Sequence, residues 1–213
     1  MNIKQNLRDL IKDAYFFQYA GIAYTNEELE KKKPRLFFSK IQWLFILFSI
    51  GLNLFLTNGF SEDFTGYIIS GLSLFVGLFF TFVIMIFDKF QCIDFSKYHY
   101  SYNKDNYPIG VRLKNYFKKV TVLSLYVIII SILLIILLSL TLLFTEWLNM
   151  PTSLIDFFDN IKLEAKVFHK IIVLAYRMIV FYFLFDFILI TLYLVSSIYD
   201  FIISEYNKVK LKE

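Results

Sequence analysis

Four apolar runs, separated by polar segments, organise the chain. They cover residues 41–57, 67–87, 122–145 and 171–203. About 20 residues of α-helix cross the ~30 Å hydrocarbon core of a bilayer, and the last three runs reach that length. The first run is close to the lower limit. It is extended by residues 36–38, and Lys40 can reach the headgroups along its methylene stem.

The pattern therefore predicts an all-α fold, an integral membrane four-helix bundle. Its spans are expected at residues 36–57, 67–88, 121–145 and 171–203. Between them lie an outer loop at 58–66, a cytoplasmic segment at 89–120 and an outer segment at 146–170, and a cytoplasmic tail follows at 204–213. A cleaved signal peptide is a poor alternative, because the first apolar run starts late and no small-residue cleavage site follows it.

Two polar segments repeat apolar residues at alternating steps of four and three, which is typical of an amphipathic helix. The first repeat includes Leu7, Leu10, Ala14 and Phe17, and the second includes Leu154, Phe158, Ile161, Ala165 and Phe168. We expect cytoplasmic amphipathic helices within residues 1–35, where Thr25 and Glu28 form a capping box ahead of a second short helix. The other repeat predicts a helix on the outer surface.

The segment 89–120 mixes basic residues with tyrosines and contains a turn cluster that ends at Pro108. Interleaved cations and aromatic rings can bind single-stranded nucleic acid. The same residue types are usual at a membrane interface, and we prefer that interpretation. Nucleic acid is therefore not an expected partner, and we expect helical extensions on both sides of a break near Pro108.

Basic residues mark the orientation. Lys31, Lys32, Lys33, Arg35 and Lys40 precede the first span, whereas the loop 58–66 has no Lys or Arg. Lys and Arg are retained on the cytoplasmic side of a membrane, so both termini are predicted to lie inside. The same five residues are candidates for contact with anionic lipids of the inner leaflet, since each juxtamembrane basic residue adds ~1 kcal/mol of attraction.

Composition changes the picture in two ways. Hydrophobic residues make up 58% of the chain, above the 45–50% or so of soluble domains, which supports burial in lipid. The single cysteine, Cys92, excludes an internal disulfide. His99 lies near it in sequence, but no third orienting group accompanies the pair, and no cluster has metal-ligand spacing. We expect a non-enzymatic protein without metal or cofactor.

Polar residues within a bilayer usually face the interior of a bundle, and they are the best functional pointers here. One face of the fourth span carries a polar stripe: Tyr182, Asp186, Tyr193, Ser197 and Asp200. Arg177 faces the opposite side, at the expected outer interface. The stripe can be a packing seam in which Asp186 is hydrogen-bonded or protonated. It can equally line a water-filled path or form a switchable contact at the centre of an oligomer.

Small residues let helices approach closely. Ser73, Gly77 and Thr81 share one face of the second span, and Ser124, Ser131 and Ser139 share one face of the third. We expect these faces to pack within the bundle or between copies. Two such faces exceed what one bundle must bury, so a homo-oligomer is predicted, with a tetramer favoured.

Residues 10–45 (LIKDAYFFQYAGIAYTNEELEKKKPRLFFSKIQWLF) join an amphipathic helix to a basic turn and a membrane hairpin, and FSKYHYSY follows the second span. In this pattern, over roughly residues 7–116, the chain resembles the SLATT and related four-span effector families of bacterial conflict systems. In size and four-pass architecture it is also similar to the membrane subunit of the Kiwa system and to the accessory membrane protein of type VI-B CRISPR loci. No catalytic residue follows from these resemblances.

The resemblance implies an oligomeric inner-membrane protein of an anti-phage system, which senses or perturbs the membrane together with a cytoplasmic protein partner. A small channel or transporter subunit with Asp186 in the conduction path is the alternative. An integral membrane enzyme is the third possibility.

Overall fold

The computed structural model describes residues 3–19, 40–55, 59–98, 107–149 and 164–210. These residues form an all-α structure, as the sequence predicts. The helices are α1 (Ile3–Tyr19), α2 (Lys40–Phe55), α3 (Glu62–Gln91), α4 (Tyr107–Leu143), α5 (Thr145–Leu148) and α6 (Glu164–Lys210), with a 3-10 turn at Phe95–Tyr98.

Three of these helices, α3, α4 and α6, are long and apolar enough to cross a membrane. They contain 30, 37 and 47 residues. The first predicted span corresponds to α2, which has 16 residues, about 24 Å of helix. Length and composition place the chain among multi-pass membrane proteins.

The long helices extend past the predicted spans. Helix α4 begins at Tyr107, with Pro108 in its first turn, and continues into the third apolar run without a break. Proline is tolerated there because its missing N–H has no partner within the helix anyway. Helix α6 begins at Glu164, so residues 164–170 of the predicted outer helix are continuous with the last span. The rest of that predicted helix and the capping box at Thr25 lie outside the described residues.

The start of α3 follows directly from its sequence. The hydroxyl of Ser61 accepts a hydrogen bond from the backbone N–H of Phe64 at 3.2 Å, which is the usual role of a serine N-cap. Glu62 and Asp63 occupy the first turn and Lys89 the last, so the charges at both ends suit the helix dipole. Glu62 and Asp63 also keep the beginning of α3 polar.

The described residues form two compact units. Unit 1 lies within Met1–Phe37, Gly77–Ile129 and Leu189–Glu213, and unit 2 lies within Phe38–Val76 and Ile130–Ile188. The core of unit 1 is aromatic: Tyr116 and Phe117 of α4 pack with Phe90 of α3 and Phe201 of α6. The rings of Tyr116 and Phe201 are stacked, with centroids 4.2 Å apart.

Within unit 1, helix α1 packs through its C-terminal half, where Ala14 and Phe17 are buried. Lys118 of α4 holds this half in two ways: its Nζ lies 3.2 Å from the Asp13 carboxylate and 5.6 Å from the centre of the Phe17 ring. The N-terminal half leaves its apolar side open, and Ile3 is 74% exposed. Among the described residues, the apolar side of α1 is therefore covered only along its C-terminal half.

In unit 2, rings of α6 contact both α2 and α3. Phe185 packs against Phe45 of α2, with centroids 5.5 Å apart, and Phe187 packs against Phe75 of α3 at the same separation. Tyr176 of α6 contacts α4. Its hydroxyl donates a hydrogen bond to the Leu137 carbonyl and lies 3.1 Å from Thr141 Oγ1. Helices α2, α3, α4 and α6 all contribute to unit 2.

Candidate functional site

Helix α2 buries polar residues and exposes apolar ones. Its buried residues among those with described side chains are Gln42, Ser49 and Asn53, each no more than 4% exposed. Leu44 and Leu47 are 59% and 67% exposed. A helix on the surface of a water-soluble domain has the opposite arrangement.

The spacing of these polar residues explains why they share a face. Steps of seven and four residues return to within about 20° and about 40° of the same direction at ~100° per residue. The Ser49 hydroxyl donates to the Phe45 carbonyl at 2.7 Å, and Asn53 Nδ2 donates to the Ser49 carbonyl at 3.1 Å. Each polar group is thus partly satisfied by its own helix. Asn53 Oδ1 is buried and accepts no hydrogen bond from the described residues.

Asp186 is the buried acid of unit 2, at 2% exposure. It lies between Phe185, which contacts α2, and Phe187, which contacts α3. Asp186 has an interaction partner within the chain, while its Oδ1 makes no hydrogen bond to the described residues. A carboxyl group in such a place is held by protein groups and not by bulk solvent, and it faces the inside of its own chain.

Arg177 is buried within the protein, at 1% exposure. Its expected position at the outer interface stays a prediction. Its Nη2 and Nε donate to the Leu148 carbonyl at 2.8 and 3.3 Å. Leu148 ends α5, where carbonyls lack partners within the helix, so the buried guanidinium satisfies a helix end. Arg177 and Asp186 lie on opposite faces of α6, about 180° apart at ~100° per residue.

Two connecting segments meet next to Arg177. The side chain of Asn149 pairs with the backbone of Phe60 in both directions: Phe60 N–H donates to Oδ1 at 3.2 Å, and Nδ2 donates to the Phe60 carbonyl at 2.9 Å. Gly59 has φ +75, and a Cβ there would lie 2.6 Å from both Arg177 Nη2 and Asn149 Oδ1. We call this arrangement of Gly59, Phe60, Leu148, Asn149 and Arg177 the arginine clamp.

Beside the clamp, His169 of α6 also contacts the segment that follows α4. Its Nε2 lies 3.2 Å from the Trp147 carbonyl, and its ring packs on the Trp147 ring with centroids 4.4 Å apart. These contacts join the start of the last span to α5. Among the described residues, no group of three or more His, Cys, Asp or Glu side chains could hold a metal ion.

The polar stripe predicted on the fourth span divides between the two units. Tyr182 and Asp186 belong to unit 2, and Tyr193, Ser197 and Asp200 belong to unit 1. Asp186 and Ser197 are buried, the two tyrosines are half-buried, and Asp200 is exposed. The Ser197 hydroxyl donates to the Tyr193 carbonyl at 2.9 Å, one turn earlier.

The small residues of α3 do not pack within the described part of the chain. Ser73, Gly77 and Thr81 are exposed, and a Cβ on Gly77 would meet nothing within 4 Å. The hydroxyls of Ser73 and Thr81 donate to carbonyls of their own helix, at 2.8 and 3.1 Å. Packing of this face within the bundle is not seen among the described residues, and packing between copies stays a prediction. On α4, Ser124 and Ser131 are buried, the first in unit 1 and the second in unit 2.

Most of the basic cluster lies outside the described part of the chain. Lys31, Lys32, Lys33 and Arg35 lie outside the described residues, and Lys40 is the first residue of α2. The contact of the basic cluster with anionic lipids stays a prediction.

The polar residues that sequence reasoning missed are those of α2. Their spacing was visible as three polar residues on one face of an otherwise apolar run.

The fold and this polar interior define the class as a multi-pass α-helical membrane protein. Comparison with known proteins adds no narrower assignment, because no protein family, no curated protein and no solved structure matches the chain.

Proposed function

We propose that this chain is a non-enzymatic, self-associating protein of the bacterial inner membrane that acts in defence against phage. It has four spans and both termini in the cytoplasm. The observation that carries the membrane assignment is the polar buried face of α2. Lipid surrounds the outside of a membrane bundle, so a span exposes apolar side chains and turns its polar ones inward. Helix α2 has this arrangement although it is the shortest candidate span.

The distribution of charge supports the orientation. The connection at residues 58–66 has acidic Glu62 and Asp63 and no Lys or Arg, whereas residues 88–120 are rich in basic side chains. Residues 204–213 add Lys208, Lys210 and Lys212. The arginine clamp is then at the outer end of the spans, where it joins the two outer connections to α6. Helix α1 and the aromatic core of unit 1 are at the cytoplasmic end.

Self-association is supported by the exposed small-residue face of α3. Close approach of a second helix needs small side chains whose own polar groups are already satisfied, and Ser73, Gly77 and Thr81 meet both conditions. A tetramer is the favoured assembly. A cytoplasmic protein partner is proposed for the exposed apolar side of α1, where Ile3, Leu7 and Ile11 are each more than 40% exposed.

The defence role rests on the resemblance of the N-terminal half to membrane effectors of bacterial conflict systems. It is tested by expressing the gene, alone and with its chromosomal neighbours, in cells challenged with a panel of phages. The proposal expects protection that Gly77→Leu weakens, because the substitution blocks contact between copies. A matched control is Gly71→Leu, at a half-buried glycine on another face of the same helix. Absence of protection against every phage, with the protein present in the membrane, would count against the defence role.

A channel or transporter subunit is the second candidate, and a specific observation favours it. Eight of the polar or charged residues that are buried belong to unit 2: Gln42, Ser49, Asn53, Thr65, Ser131, Thr141, Arg177 and Asp186. A conduction path through each protomer needs such an interior. A path at the centre of an oligomer receives less support, because Asp186 faces the inside of its own chain.

Asp186 variants separate the two candidates. Asp186→Asn keeps the shape and the hydrogen-bonding capacity, and Asp186→Leu removes both. For a conduction path, Asn and Leu should each abolish ion flux into proteoliposomes while the protein still assembles. For a packing residue in a sensor, Asn should behave as the native protein and Leu should lose assembly. Undiminished flux in both variants would exclude Asp186 from any path.

A further inference from the structure

A second feature lies at the other end of α3, in unit 1. Phe90 of α3, Phe95 and Tyr98 of the 3-10 turn, and residues of α4 line a partly open cavity of about 480 Å³. Among the described residues, its lining also includes Tyr107, Gly110, Val111 and Lys114. We call it the aromatic pocket. Small-molecule sites usually measure roughly 300–1,000 Å³ and are lined by apolar and aromatic side chains with a few polar groups, and this cavity has that size and lining.

Local contacts fix the aromatic rings. The centroids of Phe90 and Phe95 are 5.2 Å apart, and those of Phe95 and Tyr98 are 6.4 Å apart. Tyr98 lies directly on α4 at Gly110, where a Cβ would come within 2.8 Å of Tyr98 Cγ. Gly110 is thus the reason that the 3-10 turn can approach α4. Four aromatic rings from three segments are held around one space.

The charge around the aromatic pocket favours an anion. Lys114 is exposed, and no described acid is within ion-pair distance of it. The nearest acid in the turn, Asp94, already accepts from Ser96 and pairs with Lys97 at 3.6 Å. Helix α4 begins at Tyr107 with no acid in its first turn, so the positive end of its dipole adjoins the cavity.

The position along α4 indicates a water-soluble ligand. The third apolar run begins at Val122, so Lys114 and Gly110 lie about 12 and 18 Å before it at ~1.5 Å per residue. A headgroup layer is only ~5–8 Å thick, since a bilayer of ~40–45 Å contains a ~30 Å hydrocarbon core. Gly110 and Lys114 are thus beyond the lipid headgroups. Phe90 lies at the inner side of the pocket, ~4.5 Å past the second apolar run, which ends at Phe87. This step rests on the membrane assignment proposed above.

We propose that the aromatic pocket binds a nucleoside monophosphate, with its base stacked on the aromatic rings and its phosphate at Lys114 and the start of α4. Stacking on aromatic side chains is tolerant of base identity, and a lysine ammonium with a helix N-terminus suits a phosphate. Neither the aromatic rings alone nor the lysine and the helix N-terminus alone would select a nucleoside monophosphate. The ligand must have a planar ring and an anionic group on one small molecule.

Equilibrium dialysis of the full chain in nanodiscs of phosphatidylcholine tests the proposal with three matched probes. AMP has both features, adenosine lacks the phosphate, and ribose 5-phosphate lacks the base. Saturable AMP binding at least tenfold tighter than binding of either other probe is expected. Binding to nanodiscs does not depend on orientation in a cell, so a wrong topology would not affect this result, and failure here would leave the topology intact.

Variants then localise the site. Lys114→Gln should weaken AMP binding to the level of adenosine, and Gly110→Leu should abolish it by displacing Tyr98 and filling the space. Tyr98→Leu, which needs no rearrangement of α4, replaces Gly110→Leu if the latter does not fold. Lys89→Gln is the control, because Lys89 is exposed and does not line the pocket. Lack of AMP binding, or equal binding in all variants, would overturn the proposal.

Discussion

Gly59→Ala should destabilise unit 2 far more than an ordinary glycine substitution. Gly59 has φ +75, and an added Cβ would lie 2.6 Å from both Arg177 Nη2 and Asn149 Oδ1. These atoms are the ends of flexible side chains, which could ordinarily move aside. Here they are held by hydrogen bonds, to the Leu148 carbonyl at 2.8 Å and from the Phe60 N–H at 3.2 Å. The methyl group therefore competes with the arginine clamp itself.

The magnitude follows from two contributions. A non-glycine residue in the left-handed region costs ~1–2 kcal/mol. Loss of one hydrogen bond to a charged group costs ~1.5–3 kcal/mol. Together they predict a decrease of about 2.5–5 kcal/mol in the free energy of unfolding, if the guanidinium loses its contact with the Leu148 carbonyl.

Unfolding in mild detergent, followed by tryptophan fluorescence, provides the assay because Trp147 lies next to the clamp. Gly51→Ala is the matched control: Gly51 lies within α2, and a Cβ there would meet nothing within 4 Å. Alanine should stabilise that site slightly, by about 0.5–1 kcal/mol. The Asn149→Ala and Gly59→Ala changes should also be non-additive, since they act on one cluster. A Gly59→Ala protein as stable as the native one would refute the clamp.

Three further predictions concern other parts of the chain. Gly77→Leu should shift the measured mass of the protein in mild detergent toward that of a monomer, while Gly71→Leu leaves the mass unchanged. A native protein that is only monomeric in this measurement would exclude self-association. Lys118→Ala should speed hydrogen exchange in α1 by a factor of a few, because the exposed ion pair and the cation–π contact of Lys118 each contribute ~0.2–1 kcal/mol. Lys89→Ala should leave this exchange unchanged. Equal exchange in the two variants would show that other contacts hold α1. The Ser96 hydroxyl, followed by its backbone N–H, lowers the pKa of Asp94 below its ordinary value of 3.8. The stabilisation from Asp94 is therefore complete above that value and is lost as pH falls through the lower folded pKa, so Asp94→Asn should speed exchange of the Ser96 amide at neutral pH and remove its acid dependence.

The long helices could be predicted from sequence because each of the last three apolar runs is long enough to cross the hydrocarbon core of a bilayer. Their ends were harder, since α4 and α6 continue through polar segments that look like separate elements. Pro108 illustrates the difficulty: it signals a break, and the structure places it in the first turn of α4. A proline stops a helix only where an N–H was needed.

The site was predictable only in part. Asp186 is conspicuous as an acid in an apolar run, and its burial agrees with either interpretation of the stripe. Arg177 was assigned to the outer interface from its position in the fourth apolar run, without a partner. Its actual partner is the carbonyl of Leu148, 29 residues away, and a backbone acceptor leaves no trace in the sequence.

The most direct test of the central claim is the environment of α2. In a Cys92→Ser background, which has no other cysteine, nitroxide labels are placed singly at Leu44, Leu47, Ser49 and Asn53 of protein in lipid bilayers. Relaxation by oxygen reports exposure to lipid, and relaxation by a water-soluble nickel chelate reports exposure to water. The account predicts that labels at Leu44 and Leu47 respond to oxygen and that labels at Ser49 and Asn53 respond to neither. Strong relaxation by the nickel chelate at Leu44 and Leu47 would contradict it, because α2 would then lie in water and the chain would have only three spans.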